Sequence, residues 1–136
     1  MKIKFLVAEE IRPEAANKLT VLGLFPDDTL ILNPIRTKDA PAEIPLGVDK
    51  LSLLITVSEL SEGEHQFKGR IFRPSGEPYN DEASFGEANF AKGTSRSIVV
   101  EIKPFVILEY GVYRLDFYVD ESINSFNFEV REQPES

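Results

Sequence analysis

Apolar and polar residues alternate along most of this chain. Ile3, Phe5 and Val7 share one parity, against Lys2, Lys4 and Leu6 on the other. Leu51, Leu53, Ile55 and Val57 repeat the pattern opposite Ser52 and Thr56, and Phe67 and Ile71 do so against Gln66, Lys68 and Arg70. Ile98, Val100 and Ile102 follow, with Val99 out of phase. Tyr113, Leu115, Phe117 and Val119 then oppose Arg114 and Asp116, and Phe126, Phe128 and Val130 oppose Asn127, Glu129 and Arg131. Side chains of a strand point to opposite faces in turn, so each run buries one face and wets the other. Strands covered on both faces would read as unbroken apolar runs instead, so the pattern predicts antiparallel sheet.

Turn residues punctuate these runs. Phe25-Pro26-Asp27-Asp28, Arg73-Pro74-Ser75-Gly76-Glu77-Pro78 and Lys92-Gly93-Thr94-Ser95 combine fixed φ with permitted positive φ. Asp120 to Ser125 joins the last two runs as a hairpin. Glu10 to Lys18 reads as one helical turn or as a loop. Asn33 to Pro45, with three prolines, reads as an irregular connection between sheets. The expected fold is all-β: an immunoglobulin-like, Greek-key antiparallel β-sandwich of about eight or nine strands, with a closed barrel as the other way to hide strand edges. One domain spans residues 1–131, and 132–136 form a flexible tail.

Leu108-Glu109-Tyr110-Gly111-Val112-Tyr113-Arg114-Leu115 carries the clearest local physics. A glycine two residues before a tyrosine, at the start of an alternating strand, matches the tyrosine corner of Greek-key sandwiches. The ring packs at the core edge while its hydroxyl bonds backbone a few residues upstream, and Gly111 permits a close approach that a Cβ would obstruct. Gly23, inside the Leu19–Phe25 strand pattern, predicts a bulge or a close neighbour. Leu19, Val21 and Gly23 share a parity with Phe25, so that face is the expected core face of the strand.

The stretch Phe5-Leu6-Val7-Ala8-Glu9-Glu10-Ile11-Arg12-Pro13-Glu14, followed by Asn17-Lys18-Leu19-Thr20-Val21-Leu22-Gly23-Leu24-Phe25, resembles a family of small bacterial β-sandwich proteins of unknown function. In that family a first strand ends in acidic residues, and a Gly-Lys-Leu-like step leads into a strand ending in leucine, glycine and an aromatic. Its late glycine-x-tyrosine strand is similar to Gly111 and Tyr113. Asn17 stands where a glycine is common there, and Ala8 where a cysteine is common. The resemblance implies the sandwich; it brings no activity, ligand or site residue with it.

Composition narrows the partners. Leu, Ile, Val and Phe supply 44 of 136 residues, enough for a folded core. Fifteen basic against 23 acidic residues leave a net charge of −8, which argues against nucleic acid and anionic membrane. The chain has no cysteine, hence no disulfide, thiolate metal site or cysteine nucleophile. The apolar stretch Phe5–Ala8 is too short for a signal peptide, and no window suits a membrane span, so the expected location is cytoplasmic.

Reactive chemistry finds little support. His65, the one histidine, follows a polar turn near Ser58, Ser61 and Glu64. A hydrolase built on it would need a nucleophile and an orienting carboxylate in geometry that sequence proximity does not supply, and the plain expectation is a solvated turn histidine. The acidic loops at Asp27-Asp28, Asp81-Glu82 and Asp120-Glu121, with Asp116 in a strand, match no calcium loop spacing. No cofactor is expected. Lys68, Arg70 and Arg73 with Phe72 make a basic-aromatic stripe, expected to be salt-bridged sheet surface.

Leu22, Leu24, Leu54, Phe72, Val99 and Tyr118 fall on the face opposite their strand's main core face. Gathered on one sheet they would form an interface patch; covered by crossing loops they would be core. Phe85 and Phe90 serve equally as loop anchors or partner contacts. The leading expectation is a non-enzymatic interaction module that presents a sheet surface, through Leu22, Leu24, Leu54, Phe72 and Tyr118, to a protein partner or to itself as a homo-oligomer. The alternative is a small-molecule or carbohydrate-binding sandwich using Tyr110, Tyr118 or loop phenylalanines, and a hydrolase using His65 comes third.

Overall fold

The structure, a computed structural model, describes residues 1–32 and 46–132. Their chain folds into two packed sheets. The first holds, in spatial order, β2 (Leu19–Leu24), β1 (Lys2–Pro13), β5 (Leu51–Ser58) and β8 (Ser95–Ile102). The second holds β3 (Thr29–Leu32), β11 (Ser122–Glu132), β10 (Gly111–Val119), β6 (Gly63–Phe72) and β7 (Ala83–Phe90). A short ladder pairs β4 (Leu46–Val48) with β9 (Phe105–Ile107). The expected all-β sandwich is therefore present. Its connections β2 to β3, β5 to β6 and β7 to β8 each pass from one sheet to the other.

Two details differ from expectation. Eleven strands are present among the described residues, not eight or nine, because β3, β4 and β9 are only three or four residues long. And β3 runs parallel to β11, whereas every other strand pair is antiparallel. The Glu10–Lys18 segment resolves as a continuation of β1 to Pro13 followed by a 3₁₀ turn at Ala15–Asn17. β11 persists to Glu132, and the remainder of the expected tail lies outside the described residues. So does the Asn33–Pro45 connection.

The alternating runs define the core. Leu51, Leu53, Ile55 and Val57 of β5, Phe67 and Ile71 of β6, Tyr113, Leu115, Phe117 and Val119 of β10, and Phe128 and Val130 of β11 are all buried in one cluster. Burying each such side chain stabilises by roughly 1.5–3 kcal/mol relative to exposure. The outward phase of the central strand is closed as well. Ala8, Ile11 and Leu54 form a second buried cluster with Leu6, Leu19 and Val99 against it. Lys50 closes one end of that face, bonded to Glu101 and, at 3.4 Å, to Glu10.

The tyrosine corner is formed. The Tyr113 hydroxyl donates to the Glu109 carbonyl at 2.7 Å, and the buried ring stacks on Phe128 at 5.3 Å. Gly111 has φ +136°, and a Cβ there would sit 3.0 Å from the Pro74 side chain. Tyr113→Phe keeps the ring and deletes one bond, so it should cost about 1 kcal/mol. An unchanged urea midpoint would show that the hydroxyl contributes nothing to the corner.

Candidate functional site

Of the residues expected to form one apolar patch, the fold brings only some together. Leu22, Leu24, Leu54 and Val99 lie on the first sheet, and Phe72 and Tyr118 on the second. Leu54 is only 7% exposed and belongs to the second buried cluster, which removes it from any docking surface. On that face Leu54 sits between Leu6 and Val99 of the neighbouring strands and packs with Ala8 and Ile11, and the run Leu53-Leu54-Ile55 is the sequence trace of a strand buried on both faces.

Phe72 and Tyr118 are half-buried beneath cations. The Arg114 and Arg70 guanidinium groups stand 4.6 and 5.8 Å from the Phe72 ring centre, and the Lys68 ammonium stands 5.0 Å from that of Tyr118. Arg114 also pairs with Asp116 at 2.9 Å, and Lys68 with Glu82 at 3.6 Å. Of the stripe itself, Lys68 and Arg73 are salt-bridged, Arg73 to Glu77 and Glu109, while Arg70 donates to the Asn80 carbonyl at 2.9 Å. Phe85 and Phe90 act as anchors: Phe85 stacks on Phe117 at 6.1 Å, and buried Phe90 meets Phe67 at 5.9 Å.

Of the expected patch, Leu22 and Leu24 remain exposed, while Ile31, Leu108, Val112 and Ile123 are exposed elsewhere among the described residues. Both leucines lie on β2. That strand hydrogen-bonds to β1 and stands at the edge of its sheet. Val21, Leu22 and Leu24 are 36%, 39% and 56% exposed, so both faces of the strand carry open apolar surface. The expected core face is therefore not buried at Val21. Gly23 has φ +65°, and a Cβ there would fall 2.6 Å from the Glu9 carboxyl, the close neighbour its position predicted. Exposed edge strands ordinarily carry lysine, proline or other charges that discourage pairing with another chain. Leu19 to Phe25 carries none. Charge begins only outside the strand, with Lys18 before it and Asp27 and Asp28 after Pro26. Among the described residues, none of these three has an ion-pair partner. Burial, and secondarily the Asp27 carboxylate, raise the Asp28 carboxyl above its ordinary value.

His65 is a second constellation and differs from expectation. It is 8% exposed rather than a solvated turn residue. Nδ1 lies 2.7 Å from Asp120 Oδ2, and Nε2 lies 2.7 Å from the Ser61 carbonyl and 3.4 Å from Ser61 Oγ. The Phe90 ring meets the imidazole edge to face at 5.6 Å. Asp120 Oδ1 accepts the Gln66 N–H at 2.9 Å, and the Asp120 N–H donates to the Gln66 carbonyl. This clamp fastens the β10–β11 turn to the start of β6. The Asp120 carboxylate, then the Ser61 carbonyl, raise the histidine's pKa against the opposing effect of burial. The Gln66 N–H, then His65, lower that of Asp120. Chemically, Nε2 spends its proton on the Ser61 carbonyl and is not placed to take one from the more distant Oγ. Local sequence could not supply Asp120, which is 55 positions away.

Among the described residues, no three His, Asp or Glu side chains gather as a metal site would need, and no helix is long and apolar enough to cross a membrane. The aromatic residues considered for ligand stacking do not converge: Tyr110 is exposed beside the corner, while Tyr118 lies under Lys68 near the far end of β10.

A family model described as a family of unknown function matches residues 4–131. The chain belongs to that family, DUF6941. No curated protein matches it. Among solved structures, the DUF6941 chain is similar to β-glucosidase from Listeria innocua in complex with glucose, at 12% identity and a TM-score of 0.47, over 95% of this chain and 16% of that one. A mutant of that β-glucosidase in complex with laminaribiose gives 12% identity and a TM-score of 0.48, over 96% and 16%. The DUF6941 chain thus spans about a sixth of those enzymes' length.

Proposed function

We propose that this chain is a non-enzymatic binding module with an immunoglobulin-like strand order, whose working surface is the edge strand β2 with Leu22 and Leu24. The carrying observation is an uncharged, apolar strand that, among the described residues, is left open at a sheet edge and exposed on both faces. An open edge offers unpaired N–H and C=O groups along its length, and an extended partner can add to it as a further strand. Protein is the fitting partner, because strand addition requires a backbone. The salt-bridged face around Phe72 and Tyr118 is a solvated surface in this reading. A core pinned by a tyrosine corner, in a chain without cysteine, suits a reducing compartment such as the cytoplasm.

Site-specific photo-cross-linking in cells tests the reading. A photoreactive side chain at Leu24 should give protein adducts, identified by mass spectrometry, and the same group at Asn127 on the other sheet should not. Equal labelling at both positions, or none at Leu24, refutes β2 as the working surface.

A further inference from the structure

We propose that β2 pairs antiparallel with β2 of a second copy of this chain, joining two four-stranded sheets into one continuous sheet of eight strands. This rests on reading β2 as the working surface and names its occupant.

Charge at the strand ends selects both the occupant and the direction. Lys18 precedes the uncharged run Leu19–Phe25, and Asp27 and Asp28 follow it. A parallel copy would set Lys18 beside Lys18 and the aspartates beside the aspartates. An antiparallel copy sets the start of each strand beside the end of the other. With the two-fold axis through Leu22 and perpendicular to the sheet, Leu22 faces its own counterpart and Leu24 faces Thr20. Past Leu24 the chain leaves the strand, and Pro26–Asp28 form a 3₁₀ turn, so Lys18 of each copy comes to the turn that carries Asp27 and Asp28 of the other rather than to one residue in register. Two symmetry-related clusters of one lysine and two aspartates result, from groups that have no ion-pair partner among the described residues.

The side chains agree. Val21 on one face and Leu22 and Leu24 on the other are exposed in the single chain, and the added ladder covers both faces at once. Cross-strand pairs of this kind are the unit of sheet stabilisation. The net charge of −8 opposes association only weakly at this edge, because its strand is uncharged and distant charges are screened beyond roughly 8 Å at physiological salt.

Sedimentation equilibrium, run from micromolar to millimolar protein, should show a reversible species of twice 15.3 kDa. Hydrogen exchange should show the amides of residues 19–24 gaining protection as that species forms. Leu22→Lys, at a partly exposed position, should return the chain to monomer without lowering its thermal midpoint at concentrations where the parent is itself monomeric. Lys18→Asp should weaken the dimer about fivefold by removing two exposed ion pairs. Adding Asp27→Lys and Asp28→Lys to the same chain should restore it. A monomer at every concentration with freely exchanging β2 overturns the proposal, as does a dimer that tolerates Leu22→Lys. A strict monomer that still cross-links from Leu24 to a different protein overturns the second copy alone and leaves the binding module standing; loss of both results removes both.

Discussion

Phe105→Ala is expected to cost about 3–5 kcal/mol, the range for emptying a buried phenylalanine site. Phe105 is fully buried, although its strand β9 is only three residues long. Its ring centre lies 5.3 Å from that of Tyr79, 5.5 Å from that of Tyr113 and 6.0 Å from that of Phe128. One side chain therefore ties the tyrosine corner to β11 and to the segment after β6. The next residue completes the tie, since the Val106 N–H donates to the Tyr79 hydroxyl at 2.9 Å. Neighbouring aromatic rings are rigid and cannot collapse into the space that alanine would leave, which favours the upper part of the range. A domain has about 5–15 kcal/mol in all, so the variant should retain a fraction of its stability. A thermal scan by circular dichroism should place its Tm about 10–20 °C below the parent. Leu108→Ala, at an exposed position one residue beyond β9, should stay within about 0.5 kcal/mol. Equal behaviour of the two variants would contradict the central placing of Phe105.

The same residue marks where sequence stops being legible. Long alternating runs such as Tyr113–Val119 state their own inward face, and β5, β6, β10 and β11 fold as read. Phe105-Val106-Ile107 is too short to show a period, and β9 is recognised only by its ladder to β4 and its neighbours in the core. Tyr79 lies in a polar, proline-containing stretch with no pattern, yet its ring and hydroxyl are both used. Parity alone places Leu54 outward, but parity does not say whether the outer face of a central strand is covered. β2 shows the converse. Its apolar run is visible in the sequence, while its edge position comes from pairing. Only the absence of charge between Lys18 and Asp27 bears on the use proposed for that edge. His65 and Asp120 meet because β6 and the β10–β11 turn end at the same side of one sheet, which no local window contains.

Asp120→Ala is expected to cost about 2 kcal/mol near pH 5.5, the scale of hydrogen bonds to charged groups discounted for a carboxylate that is half exposed. Both ring nitrogens of His65 face acceptors, Asp120 Oδ2 and the Ser61 carbonyl, so only the doubly protonated ring satisfies both. The Phe90 ring and the Ser61 hydroxyl complete its surroundings. The folded histidine pKa is raised, so its contribution is complete below the unfolded value of about 6.5 and fades as pH rises through the folded one. The folded Asp120 pKa is lowered, so its contribution is complete above the unfolded value of about 3.9 and fades as pH falls through the folded one. The pair is at full strength between those limits. Urea titrations should show the largest gap between the parent and Asp120→Ala from about pH 4 to 6.5, narrowing on either side. His65 is the only histidine, so its imidazole resonance is unambiguous and should titrate above about 6.5 in the parent and closer to that value in the variant. An imidazole that titrates below 6.5 in the parent would mean that the ring is held neutral and that the clamp is not an ion pair.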